Sequence, residues 1–165
     1  MAPDRLTPVE RVVSGAQTGV DQAALDVAIE LGIPCGGWVP FGRRTEIGPA
    51  PDRYAGLVET DSAEYEVRTR RNVRDSDGTL VLVRSEPAGG SALTVDEAGA
   101  AGRPHLVVDL DGEVEADGIR SWIEGEGIRV LNVAGDREST SPGIHDLAAR
   151  LLRAVLARPP RPDGG

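Results

Sequence analysis

The sequence predicts an α/β protein of three layers, in which helices cover both faces of a mostly parallel sheet of about five strands. Short β-branched runs alternate with longer segments whose apolar residues recur at helical spacing, the pattern of βα units around such a sheet. The length of 165 residues fits one ordinary domain. We expect residues 1–157 to form a single domain and residues 158–165, which are rich in Pro and Gly, to be a disordered tail.

Five strands follow from the β-branched runs and from the turn residues that bound them. Thr79–Val83 is the clearest, because its apolar run is short and continuous, as in a strand buried on both faces. The others are expected at about Arg11–Ser14, Pro34–Val39, Leu106–Val108 and Arg129–Val133.

Five helices accompany these strands. The first, Val20–Leu31, repeats apolar residues on one face, has Thr18 near its start as a capping residue and ends at Gly32. The last carries a single apolar stripe from Ile144 to Val155. Between them we expect helices at Ser62–Val73, at Ser91–Ala101 and, on the surface, around Ile119–Ile123.

Composition disfavours several functions. Twenty-seven acidic residues against 18 basic ones give a net charge of −9, which would repel a nucleic-acid backbone, so we expect no nucleic-acid partner. All 18 basic residues are Arg, and without Lys neither Schiff-base chemistry nor a nucleotide-binding P-loop is available. One cysteine and two histidines are too few for a disulfide framework or a Cys/His zinc cluster within one chain. We therefore predict no metal-ligating residues, and any metal would need oxygen ligands or would arrive within a cofactor.

No apolar run approaches the roughly 18 residues that a membrane span needs. The start of the chain is polar and contains Pro3 and Pro8, unlike the apolar core of a secretory signal. We therefore expect a cytoplasmic protein with no membrane partner.

Glycine-rich loops follow the first, third and fifth predicted strands, at residues 14–19, 87–91 and 134–139. The carboxyl ends of parallel strands share one edge of a sheet, where ligands bind, so these loops should lie together. Small residues at a helix start expose backbone N–H groups to an anion. One such loop is also ordinary helix-entry chemistry, but three on one edge favour a ligand site. Because Asp21 would repel a phosphate there, Gln17 and Thr18 fit neutral hydrogen-bonding roles better than a phosphate cradle.

The segment from Gly36 to Thr60 shows little periodicity and is too long for an ordinary connection. It contains three of the five aromatic residues and two neighbouring arginines: Trp38, Phe41, Tyr54, Arg43 and Arg44. Aromatic and guanidinium planes stack on flat heterocycles, and Arg also clamps phosphate or another oxyanion. These residues either cover a ligand or close one end of the hydrophobic core, and the sequence favours neither.

Other polar side chains have simpler interpretations. A solvated face is expected for four arginines spread around one helix: Arg68, Arg70, Arg71 and Arg74. Cys35 fits a small buried hydrophobe, and His145 fits a structural or exposed residue.

Six strings of the sequence stand out together: SGAQTGVDQAALD (Ser14–Asp26), GIPCGGWVPFGRR (Gly32–Arg44), PDRY (Pro51–Tyr54), NVRDSDGTLV (Asn72–Val81), GGSALT (Gly89–Thr94) and NVAGDRES (Asn132–Ser139). They occur in order and at close spacing between Arg11 and Leu152. With these strings the chain resembles the molybdenum-carrier family, a circularly permuted, YpsA-like branch of the superfamily that contains the DprA and LOG proteins.

The resemblance implies a Rossmann-like domain that binds a small, nucleotide-like anionic ligand, often in a homo-oligomer. The ligand in the family's name is the molybdenum cofactor, a pterin that bears a phosphate and a metal oxyanion, and here it would be a bound cargo. Matched motif by motif, the positions that would face the ligand are Gly15, Gln17, Thr18, Arg43, Arg44, Gly89, Gly90, Ser91, Thr94, Gly135, Arg137, Glu138 and Ser139.

The LOG enzymes, which hydrolyse the N-glycosidic bond of nucleoside monophosphates, carry a PGG-x-GT-x-x-E signature that this chain matches only in part. Ala88 separates Pro87 from the glycines, Ala92 replaces the third glycine, and Asp96 occupies the position of the acid. A phosphate cradle is compatible with these changes, whereas hydrolysis needs a carboxylate held in a defined position.

Three hypotheses follow. In the first, the protein is a non-catalytic carrier: the loop N–H groups and Arg137 hold an oxyanion, while Trp38, with one of the two arginines near it, covers the heterocycle. In the second, it is a nucleoside-monophosphate N-glycosidase, in which Asp96 or Glu97 stabilises the cationic sugar and Arg137 holds the phosphate. In the third, it senses a nucleotide-derived signal.

Overall fold

The structure, a computed structural model, describes residues 8–157. In this range the chain forms eight strands: β1 (Arg11–Val13), β2 (Cys35–Val39), β3 (Arg44–Thr45), β4 (Gly48–Pro49), β5 (Leu57–Glu59), β6 (Gly78–Val83), β7 (His105–Asp109) and β8 (Val130–Gly135). Six of them pair in parallel in the order β5-β2-β1-β8-β6-β7, and β3 and β4 form a small antiparallel ribbon. The predicted disordered tail, residues 158–165, lies outside the described residues.

The same range contains five helices: α1 (Val20–Leu31), α2 (Tyr65–Arg74), α3 (Gly90–Ala100), α4 (Ala116–Glu126) and α5 (Ile144–Leu156). On one face of the sheet α1 and α4 pack against α5, and on the other face α2 packs against α3. The predicted three-layer α/β class is therefore confirmed. Between residues 8 and 157 no helix has the length and apolar character needed to cross a bilayer.

Alternate strand residues build the larger core, beneath α1, α4 and α5. Fully buried strand residues in this core are Val12, Leu80, Leu82, Leu131 and Val133. Because successive side chains of a strand point to opposite faces, Thr79 and Asn132 point towards α2 and α3. Asn132 Nδ2 donates to Thr79 Oγ1 at 3.3 Å, so this buried polar pair is satisfied within the sheet.

The predicted elements agree with the structure except in the segment that lacks periodicity. The first helix has its predicted bounds, and each predicted strand ends within two residues of an observed one. The sheet has six strands where about five were expected, because Leu57–Glu59 adds a short edge strand beside β2. The side chains of this strand are half-buried or exposed, so no alternating pattern marks it in the sequence.

Neighbouring strands β6 and β8 lead to opposite faces of the sheet. β6 continues into α3, on the face of α2, whereas β8 continues into α5, on the face of α1. This divergence opens a crevice beyond the carboxyl ends of the two strands, the usual ligand position in an open parallel sheet. The β1–α1 loop borders the crevice, because Val20 N donates to Asp136 O at 3.1 Å and ties this loop to the one after β8.

Gly19 permits this close approach of the two loops. Its φ is +81°, in the left-handed region, and a Cβ atom placed on it would lie 2.3 Å from the Asp136 carbonyl oxygen. A side chain at this position would therefore push the two loops apart.

Replacing Gly19 with Ala should lower the free energy of unfolding by at least about 2 kcal/mol, since the methyl group meets backbone and the dihedral is strained. Denaturant titration followed by circular dichroism measures this change. Gly99→Ala is the matched control, because a Cβ on this α3 glycine meets nothing within 4 Å, and it should stabilise the protein by about 0.5–1 kcal/mol. Equal stability of the wild type and Gly19→Ala would show that the loops do not pack in this way.

Candidate functional site

A cavity of about 410 Å³ occupies the crevice beyond the carboxyl ends of β6 and β8. The three glycine-rich loops of the sequence line it, together with the start of α3. Eight predicted site residues contribute to its wall: Gln17 from the β1–α1 loop, Gly89, Gly90, Ser91 and Thr94 from the start of α3 and the turn before it, and Gly135, Arg137 and Ser139 from the end of β8 and the loop after it. The structure thus brings residues from distant parts of the chain to one place.

The start of α3 offers backbone donors. Gly89 has a φ of +53°, and among residues 8–157 no acceptor is bonded to the N–H groups of Gly89 and Gly90. Ser91 closes the turn, because its N and Oγ donate to the Ala88 carbonyl oxygen at 3.1 and 2.8 Å. The helix dipole adds partial positive charge at this end, so the turn favours an anion.

Gln17 is buried in the cavity wall with one end of its amide unused. Its Oε1 accepts hydrogen bonds from Thr18 N at 3.1 Å and Glu46 N at 2.9 Å, which fixes the orientation of the amide. Its Nε2 has no partner among the described residues, although the residue is only 4% exposed. A buried donor without an acceptor costs about 1–3 kcal/mol, so a ligand acceptor would remove a real penalty.

Arg68, from α2, corrects the sequence analysis. It was expected on a solvated face, but its side chain is 11% exposed and lines the cavity. The guanidinium packs on Gly15, where a Cβ would lie 2.6 Å from Arg68 Nε, so Gly15 makes room for Arg68 and does not itself line the cavity. Arg68 pairs with Asp21 at 4.0 Å and donates to Thr69 Oγ1, while its Nε has no hydrogen-bond partner in the described part of the chain. Burial lowers the pKa of Arg68, but a guanidinium stays charged at neutral pH.

Asp21 lines the cavity beside Arg68 and is almost fully buried. Burial raises its pKa from 3.8 to about 6, against the opposing effects of Arg68, of the Gln17 N–H bonded at 3.2 Å and of Arg137. Oδ2 takes the Gln17 N–H and faces Arg68, whereas within residues 8–157 no donor is bonded to Oδ1. An acidic group therefore stands among groups that favour an anion.

Arg137 is the second cation of the cavity. Its guanidinium carbon lies 5.3 Å from the centre of the Tyr65 ring, and its Nη1 lies 3.9 Å from Glu46 Oε2. Burial alone would raise the pKa of Glu46, but hydrogen bonds from Ser139 and Thr18 and the charge of Arg137 lower it. Glu46 is thus an ionised link between the β3–β4 ribbon and the loop after β8.

Thr18 and Glu138 organise the loops without lining the cavity. Thr18 Oγ1 accepts a hydrogen bond from Glu138 N at 3.1 Å and donates to Glu46. The Glu138 carboxylate caps α5, accepting from Gly143 N at 2.7 Å and from His145 N at 3.0 Å.

Three residues of the long segment, which we expected to face the ligand, are placed elsewhere. Trp38 Nε1 donates to Asp75 Oδ2 at 2.7 Å. Arg43 donates to carbonyl oxygens of its own segment at 2.8–3.4 Å, and Arg44 donates to a carbonyl oxygen before α2 at 3.0 Å. Contacts within the polypeptide hold all three outside the cavity. Tyr54 is buried in a small second core, which agrees with the alternative that this segment closes one end of the hydrophobic interior.

The two acids considered for glycoside hydrolysis also lie outside the cavity. Glu97 is 9% exposed, and its Oε1 accepts from Arg74 Nε at 2.8 Å. Asp96 is exposed on α3. Within the described range, the carboxylates that do line the cavity belong to Asp21 and Asp136.

Four polar residues of the cavity wall were absent from the predicted set: Asp21, Arg68, Asp136 and Thr140. The position of Arg68 on its helix indicates that its side chain is buried, because Arg68 lies one turn before Asn72 and next to Thr69, both of which are buried. Asp136 lies within a glycine-rich loop and Asp21 lies two residues after one, so the rule that selected Gln17 and Arg137 also applies to them.

A doubly wound parallel sheet with a cavity of glycine-rich loops at its carboxyl edge defines a Rossmann-like protein. The model of the circularly permutated YpsA SLOG family matches residues 12–156, and the chain belongs to that family. The chain is also similar to a crystal structure named "Putative molybdenum carrier protein" from Syntrophus aciditrophicus SB, with 43% identity, a TM-score of 0.88 and coverage of 93% of this chain and 98% of that one. None of the curated proteins compared gives a significant match.

The surroundings of Asp21 predict its titration. Its folded pKa of about 6 exceeds the ordinary aspartate value of 3.8, so between these pH values the folded state holds a proton that the unfolded state releases. The free energy of unfolding attributable to Asp21 is therefore greatest at low pH and falls as the pH rises through this window. The carboxyl ¹³C shift of Asp21, assigned with Asp21→Asn, should titrate with a midpoint near 6.

Asp26, also in α1, is the internal control for this titration. Burial alone would raise its pKa, but hydrogen bonds from His145, Tyr54 and Arg53 lower it below 3.8. The titration midpoint of Asp21 should therefore lie above 3.8 and that of Asp26 below it. An Asp21 midpoint at or below that of Asp26 would contradict the described burial of Asp21.

Proposed function

We propose that the cavity binds a small molecule through an oxyanion, and that the protein carries this ligand without transforming it. The cargo that best fits the family relationship is molybdate or the molybdenum cofactor. The observation that carries the proposal is a pair of buried donors without partners among the described residues, Gln17 Nε2 and Arg68 Nε, whose side chains line one cavity.

These donors favour an acceptor-rich ligand, because buried polar groups are almost always hydrogen-bonded. Arg137 and the N–H groups of Gly89 and Gly90 add further donors at the same cavity. An oxyanion accepts several hydrogen bonds at once, and those from guanidinium groups are charge-assisted and strong. The donor set therefore fits a phosphate or metal-oxyanion group.

The size of the cavity agrees with a small-molecule cargo, since about 410 Å³ lies within the roughly 300–1,000 Å³ of typical ligand sites. Arg68, Arg137 and the turn before α3 would hold the phosphate or oxyanion part of the cofactor. No aromatic side chain of residues 8–157 lines the cavity, so stacking of Trp38 on a heterocycle is not part of this proposal.

Molybdenum as cargo is suggested by the name of the Syntrophus protein, and its transfer to this chain belongs to the proposal. The expected homo-oligomer, the cytoplasmic location and the single domain of residues 1–157 stay predictions alongside it.

The N-glycosidase hypothesis has no comparable support, because Asp96 and Glu97 lie outside the cavity. Incubation with nucleoside monophosphates, followed by assay for free base, separates the two functions. A carrier releases no base. Release of base that disappears in an Asp96→Asn, Glu97→Gln double variant would favour the enzyme.

Arg137→Ala should weaken the binding of molybdate, tungstate and the intact cofactor by roughly ten- to a hundredfold, since a hydrogen bond to a charged group contributes about 1.5–3 kcal/mol. Isothermal titration calorimetry measures these affinities. Arg153→Ala is the control: it removes the same charge from a side chain that is 50% exposed and paired with Glu30 at 2.7 Å. It should bind like the wild type. Absence of binding by the wild type, or equal affinity in Arg137→Ala, would refute this site.

A further inference from the structure

Asp21 is an acidic residue in the wall of a proposed anion site, and the proposed function does not explain its presence there. A carboxyl group whose side chain is 6% exposed stands beside donors that favour an anion. A dianion placed near a buried carboxylate is repelled strongly, because like charges are weakly screened where water is excluded. A buried acid in this position would therefore favour some charge states of a ligand over others.

Charged groups from two other elements share the cavity with Asp21. Arg68 Nη2, from α2, lies 4.0 Å from its Oδ2. Arg137 and Asp136, at the end of β8, line the same wall. The Asp136 carboxylate is already engaged, since its Oδ2 accepts from Arg84 N at 3.0 Å. Asp136 is only partly buried, whereas Asp21 is buried and has one carboxylate oxygen that accepts no hydrogen bond from residues 8–157, a position open to a ligand.

The open position is Asp21 Oδ1. Oδ2 accepts from Gln17 N at 3.2 Å and faces Arg68, but no residue between 8 and 157 donates to Oδ1. Two donors that have no partner within the described range, Gln17 Nε2 and Arg68 Nε, belong to side chains in the same wall. An oxyanion that accepts from these donors would share the cavity with Asp21 Oδ1. A proton between the oxyanion and the Asp21 carboxylate would form an O–H···O hydrogen bond, so that two unprotonated, negatively charged oxygens are not adjacent.

We infer that the site binds its oxyanion together with one proton, and that Asp21 shares this proton with the bound ligand; the inference rests on the proposed function. With a fully deprotonated dianion such as molybdate, the proton comes from solvent, adds to the Asp21 carboxylate and is donated to an oxo oxygen. With hydrogenphosphate or a protonated phosphomonoester, the O–H of the ligand donates to the carboxylate, and no proton is taken from solvent. Asp21 is then a specificity-determining residue: as the pH rises, the site increasingly prefers oxyanions that carry a proton over those that are fully deprotonated.

Proton uptake can be measured directly by calorimetry with molybdate at about pH 7.5 in HEPES and in Tris, which differ in ionisation enthalpy. Asp21, with a pKa of about 6, is mostly ionised in the free protein at this pH. We therefore expect close to one proton to be taken up per bound molybdate. The affinity should fall by up to about tenfold per pH unit above neutrality.

Two variants locate the proton. Asp21→Asn should bind molybdate without proton uptake and with an affinity independent of pH, because an amide donates to the oxyanion without titrating. Asp61→Asn removes the same charge from a side chain that is 92% exposed and outside the cavity, and it should retain the uptake of the wild type.

Binding of molybdate by the wild type without proton uptake would overturn the inference and leave the proposed function intact. Uptake that persists unchanged in Asp21→Asn would equally overturn it. No binding of molybdate, tungstate, phosphate or the intact cofactor would remove the proposed function and the inference together. The comparison of two buffers uses the wild type alone, so it decides the question even if Asp21→Asn fails to fold.

Discussion

The parallel pairing of β6 with β8 is the constraint on which the site depends. Leu80 and Val133 are partners in this ladder at the centre of the sheet, yet the two strands lead into helices on opposite faces. The loops that leave the two strands diverge, so a crevice remains beyond the carboxyl ends of the strands. The site is therefore a consequence of strand order more than of any single motif.

Within that crevice the charges are incompletely paired. Arg68 is buried against Gly15, and its distance of 4.0 Å from Asp21 is longer than a hydrogen bond. A buried cation that lacks full compensation costs free energy, and an anionic ligand lowers that cost. The same burial makes the Asp21 carboxylate an unfavourable neighbour for a second negative charge. One ion pair thus underlies both proposals, the binding of an oxyanion and the proton that would accompany it.

The fold was accessible from the sequence because its central strands are short apolar runs and its helices carry regular stripes, which are local signals. The edge strand Leu57–Glu59 was not, since exposed side chains leave no alternation to detect. The rule that parallel strands end at one edge placed Gln17 and Arg137 together correctly. That rule does not apply to Arg68, which lies on a helix: its helical phase indicates burial, but its place in the cavity wall depends on contact with Gly15, far away in sequence. Trp38 likewise has its partner, Asp75, on a distant segment.

Anomalous diffraction from a crystal grown with tungstate tests the central claim most directly, because it locates the anion without assuming which residues bind it. The account predicts a tungsten peak in the crevice, at a position where the tungstate oxygens accept hydrogen bonds from Arg68, Arg137 and the backbone N–H of Gly90. A tungsten peak elsewhere on the protein, or none in an open crevice, would contradict it.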